Sequence, residues 1–121
     1  MIELRSAIVN ELKKVNSRVF YQHAGSSTQL PYIVYNFLPS RMVDEGTEVF
    51  LMDVDVWDNK TDTTAIETIA QQIWSKFNRF TYLDDVIYFS AYRDNRFPPL
   101  EDDDPSIRRR KMTFEIRYLY K

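Results

Sequence analysis

One histidine and no cysteine among 121 residues leave little for nucleophilic chemistry. A nucleophile–base pair of the usual kinds would need His23. That residue falls in a polar turn, His23 to Gln29, where a solvated or hydrogen-bonded imidazole is the simpler reading. No serine sits in a nucleophile-elbow pattern. Asp53 and Asp55 stand two apart in an alternating stretch, so both point to one face of a strand. Such a pair could hold a divalent cation or share a proton. It also fits the polar face of a strand, with Lys111 and Arg117 on the polar face of another. Cross-strand charge pairing is the preferred reading. With glycine only at 25 and 46, a Gly-rich phosphate loop is excluded. Without cysteine, so are a disulfide framework and a thiolate metal site.

The run Arg108-Arg109-Arg110-Lys111 could meet phosphate, but Glu101-Asp102-Asp103-Asp104 stands a few residues before it. The formal net charge is −2, with 16 basic against 18 acidic residues, which argues against nucleic-acid binding driven by overall charge. A solvated or subunit-bridging loop explains the two blocks better.

These residues are positioned by a short series of elements. Leu4, Ile8, Leu12 and Val15 make one stripe, which predicts a helix over residues 2–16. A short extended piece is expected from Arg18 to Tyr21. Tyr32 to Phe37, after Pro31, is β-branched and aromatic and predicts a strand. Residues 38–48 read as a polar loop. Val49 to Trp57 alternates: Phe50, Met52, Val54 and Val56 on one side, Leu51, Asp53, Asp55 and Trp57 on the other. A second helix is marked by Ile66, Ile69, Ala70, Ile73, Trp74 and Phe77, with Thr64 and Glu67 in capping-box spacing and Asp62 just upstream. A strand over Val86 to Tyr92, a loop over 94–109 and a last strand from about Arg110 to Tyr120 complete the chain. Its alternation sets Met112, Phe114 and Ile116 on the core side. The expected fold is α+β, in the order α-β-β-β-α-β-β. It has a mainly antiparallel sheet of about four to five strands and two helices on one face.

The length suits a single domain over residues 1–121. Aromatic residues reach 15%, which suits both strands and protein interfaces. The start, Met1-Ile2-Glu3-Leu4-Arg5, lacks a signal-peptide pattern, and no apolar run approaches the roughly 20 residues of a membrane span. Synthesis in the cytoplasm is the expectation. The outer face of the second helix carries Thr68, Gln71, Gln72 and Ser75, with few charges, and charge depletion is an interface signal. The candidate interface residues are therefore Gln71, Gln72, Phe97, Leu100, Glu101, Asp102, Asp103, Asp104, Arg108, Arg109 and Arg110. No catalytic, cofactor or metal residue is assigned.

Two stretches, Arg18-Val19-Phe20-Tyr21-Gln22-His23-Ala24 and Leu30-Pro31-Tyr32-Ile33-Val34-Tyr35, resemble the opening of the tail-completion, or tail-terminator, proteins of long-tailed bacteriophages and prophages. The Asp53-Val54-Asp55-Val56-Trp57 strand, the helix after it and the long loop before a final alternating strand extend the resemblance over nearly the whole chain. The resemblance implies a structural virion protein of the tail or neck, with no catalytic residues. Its members form a ring, often hexameric, that caps the tail tube and joins the tail to the head. Partners would be further copies of the chain, the tail tube protein and head–tail connector proteins. DNA would at most pass through the ring without sequence-specific contact, and no membrane is involved. Two other readings stand beside it: a head-completion protein of the neck, and a small metal-dependent enzyme using Asp53 and Asp55.

Overall fold

The computed structural model of the chain describes residues 2–39, 41–44, 46–101 and 106–120. Helix α1 (Ile2–Lys13) has Glu3 in its first turn and Lys13 in its last, the signs that the helix dipole favours at those ends. Leu4, Ala7, Ile8 and Leu12 form its buried side. The helix is shorter than predicted because Lys14–Asn16 turn the chain. The amide of Val15 donates to the Leu12 carbonyl, and the amide of Arg18 donates to Asn16 Oδ1.

Strand β1 (Val19–Tyr21) lies parallel to β2 (Tyr32–Phe37), with Val19 opposite Ile33. The predicted loop 38–48 instead contains β3 (Arg41–Asp44), which pairs with the start of β4 (Thr47–Asp58). Gly46 makes this hairpin possible. Its φ of 84° lies in the left-handed region, and a Cβ there would come within 3.3 Å of Leu119 Cδ1. Because β2 pairs with Met52 to Trp57 and β3 with Thr47 to Val49, the two strands share one edge of β4 in succession.

Helix α2 (Thr64–Lys76) buries Ile66, Ile69, Ala70 and Ile73. Its start differs from the expected capping box. Thr64 is already helical, and Asp62 Oδ1 accepts from both the amide and the hydroxyl of Thr64. Glu67 turns away to another partner described below. Arg79, at φ 54°, then reverses the chain into β5 (Phe80–Leu83), a strand not predicted. Asp84 Oδ1 accepts from the amides of Val86 and Ile87 and so shapes the turn into β6 (Ile87–Arg96). Strands β7 (Leu100–Glu101) and β8 (Arg108–Tyr120) follow.

The main sheet runs β1-β2-β4-β8-β6-β5, with β3 attached to β4 and β7 to β8. Among the described residues eight strands replace the expected four to five, yet the class is the expected one: α+β, with every pairing there antiparallel except β1·β2. Phe50, Met52, Val54 and Val56 of β4 and Met112, Phe114 and Ile116 of β8 are all buried, in one core with the apolar sides of both helices. Glu11 of α1 ties the helices together: its carboxylate meets Lys76 Nζ of α2 at 2.9 Å and Lys14 Nζ at 3.0 Å. Burial pushes this carboxyl up, but the hydrogen bonds and charges of Lys76 and Lys14 prevail and hold it below its ordinary value.

Candidate subunit interface

The period-two alternation of β8 sends its consecutive basic residues to opposite faces. Arg109 and Lys111 stand on the face away from the helices. There Arg109 Nε meets Asp55 Oδ1 at 2.9 Å, and its guanidinium lies 4.8 Å from the Trp57 ring centre. Lys111 Nζ lies 3.6 Å from Asp53 Oδ2. Register explains both pairs: Asp55 opposes Lys111 and Asp53 opposes Thr113, so each cation leans to a neighbouring carboxylate. Burial holds the Asp55 carboxyl above its ordinary range, although Arg109 and Lys111 pull the other way. Both carboxylates are thus engaged by cations of the same sheet. Among the described residues no group of three or more His, Cys, Asp or Glu is gathered as a metal site.

Arg110 points to the helix face. It is ion-paired with Glu67 of α2, and its side chain is only 15% exposed. Two of the three arginines read as interface cations are therefore satisfied inside the subunit. Arg108 is half-buried and registers with Asp58 on one side and Glu101 on the other. Leu100 and Glu101 form β7, opposite Arg109 and Arg108. Asp102, Asp103 and Asp104 lie outside the described residues.

Gln71, Arg110 and Phe97 come together. They line a cleft of about 520 Å³ with Glu67, Ala70, Arg96, Pro98, Pro99, Lys111 and Met112. One wall is α2 and the other is the 97–99 segment, anchored by the Phe97 amide on the Lys111 carbonyl at 3.0 Å. Phe97 is 37% exposed and has Lys111 Nζ 5.6 Å from its ring centre. Gln72 is exposed on the neighbouring part of α2.

Sequence reasoning missed the residues that give this region its charge. Arg93 and Arg96 are three apart, a spacing that opposes them in a regular strand. A bulge between Arg93 and Asn95 inserts one residue, so Arg93 registers with Phe114 and Arg96 with Met112, both on the helix side. Their guanidinium carbons lie 4.9 Å and 5.1 Å from the Trp74 ring centre. Arg93 Nε donates to the Trp74 carbonyl at 2.8 Å, and Arg96 Nη1 donates to Gln71 Oε1 at 3.2 Å. The extra residue, Asp94, faces the other side and accepts from the Thr113 hydroxyl at 2.8 Å. The only available signal was the pair of arginines before the aromatic Phe97. The bulge that aligns them carries no glycine to mark it.

No protein-family model matches this chain, and no curated protein matches it. Among solved structures, the chain is similar in fold to one from the structure titled "Virion of native gene transfer agent (GTA) particle", at a TM-score of 0.62 and 12% sequence identity. The match covers 93% of this chain and 85% of the other, so the likeness extends over nearly the whole chain.

Proposed function

We propose that this chain is a structural virion protein, and within that class a tail terminator: a ring-forming subunit that caps the tail tube and joins tail to head. The observation that supports it most is the fold shared, over 93% of its length, with a chain from a gene transfer agent virion. The resemblance of its opening stretches to tail-completion proteins narrows the class. The surface agrees with an assembling role. The flank of α2 is charge-poor and borders a cleft of mixed aromatic, proline and arginine character, a composition suited to protein contact. A closed ring requires heterologous contacts, in which one patch meets a different patch of the next copy. Hexameric stoichiometry follows the same resemblance.

The test is electron microscopy of particles made without this chain, beside native mass spectrometry of the purified protein. Overlong tails that fail to join heads are expected. Normal tails with unfilled or leaking heads would assign the chain to head completion instead. Complete, infectious particles would overturn the virion role.

A further inference from the structure

Arg93 and Arg96 stand side by side at the cleft as cations held without an acidic partner. Among the described residues neither has a carboxylate within ion-pair distance, whereas Arg109, Arg110 and Lys111 are all in salt bridges. Each is held by neutral groups instead: the indole of Trp74, its carbonyl and the amide of Gln71. Both arginines are exposed. Stacking on a ring fixes a guanidinium while leaving edge N–H groups for a planar anion, and carboxylate is the planar anion that arginine forks match. Arg96 also lines the cleft beside Phe97, Pro98 and Pro99, so an incoming acidic segment would find apolar walls next to the charge.

The longest acidic run of the chain is Glu101-Asp102-Asp103-Asp104. Glu101 registers with Arg108, and Arg96 with Met112. Four residues of strand at ~3.3 Å each set the start of the run about 13 Å along the sheet from Arg96, with Arg93 farther still. Glu101, where the run begins, thus stands apart from the patch along the sheet, as a head-to-tail contact requires. We propose that the Arg93–Trp74–Arg96 patch and its cleft receive the Glu101–Asp104 run of a second copy of this chain. This inference rests on the ring reading above and names the surface that closes the ring. It also replaces Arg108 to Arg110 as the cationic partner.

Charge swapping tests it. One variant carries Arg93→Glu and Arg96→Glu. The other carries Asp102→Lys, Asp103→Lys and Asp104→Lys. Each alone faces like charge at every contact, so its oligomer in native mass spectrometry should fall at least about tenfold against wild type. Mixed in equal amounts, the two variants should regain oligomers in which they alternate, because every contact is then complementary. All five changes in one chain should restore the homo-oligomer. Melting curves near wild type exclude misfolding as the cause. Rescue in the single chain without rescue on mixing would mean that the run folds back on its own patch, and would overturn the contact between copies. Wild-type rings from both separate variants would overturn it while leaving the ring reading intact. A wild-type chain that stays monomeric, alone and on tails, would overturn both.

Discussion

Phe114 offers the most demanding check on the packing. Its side chain is fully buried at the middle of β8, with ring centres 5.6 Å from Trp74 and 5.3 Å from Phe77. Burial of a phenylalanine contributes ~1.5–3 kcal/mol relative to exposure. Two aromatic pairs add ~0.5–1.5 kcal/mol each. The sum, ~2.5–6 kcal/mol, brackets the ~3–5 kcal/mol found for phenylalanine-to-alanine changes in cores. Phe114→Ala should therefore lower unfolding free energy by about 4 kcal/mol. At a urea slope of ~2 kcal/mol/M the midpoint should move down by about 2 M. Phe114→Leu keeps most of the apolar contact and loses the ring pairs, so roughly half that shift is expected. Urea melts followed by far-ultraviolet circular dichroism measure both, independently of Trp74, whose fluorescence the change itself would alter. A loss below about 1 kcal/mol in Phe114→Ala would refute the argument, because a surface site behaves that way and a filled core site does not.

Ile73→Ala, on the fully buried side of α2, should cost ~2–5 kcal/mol in the same melt, whereas Gln72→Ala beside it should stay within ~0.5 kcal/mol. Glu11 is held below its ordinary value of 4.5 by Lys76 and Lys14, so its stabilisation is present at neutral pH and lost as pH falls through the folded-state value. Glu11→Gln should flatten that acid limb in a pH series of melts. Asp55 has the opposite sign: its carboxyl is raised by burial, so its contribution falls as pH rises through the folded value, and Asp55→Asn should remove that slope. The double change Asp53→Asn with Asp55→Asn should leave particle assembly working with a modest loss of stability. Calorimetric titration of the wild type with Mg²⁺, Mn²⁺ or Ca²⁺ should show no micromolar site. A tight site abolished by the double change would instead revive the metal-enzyme reading.

Long periodic segments were readable from the spacing of their apolar residues. The alternation in β4 and β8 and the stripe of α2 each repeat often enough to fix a face, and the structure buries the named residues apart from Trp74, which is half-buried. Short strands were not. Phe80–Leu83 has four residues, too few to separate a strand from the apolar tail of the preceding helix, and Arg41–Asp44, also four residues, is too short to show an alternation among its polar neighbours. At the candidate interface the residue types were legible but their partners were not. The arginine run was read as a single block, although strand geometry splits it: Arg109 goes to Asp55 and Arg110 to Glu67. Arg96 was assigned to a loop because β6 runs past Tyr92 to Arg96, and a bulge cannot be counted from sequence.

The two margins of the main sheet are its shortest members: β1 with three residues at one side and β5 with four at the other. An extended margin would let copies add to one another strand on strand without limit. Margins this brief give little hydrogen-bonding template, so in the proposed ring copies would meet through side chains on helix flanks and loop walls. Contacts of that kind set a definite angle between neighbours, and a definite angle is what allows a chain of subunits to return on itself rather than grow. For a subunit proposed to stop a tube from lengthening, inability to propagate its own sheet is the property that keeps the stopper finite.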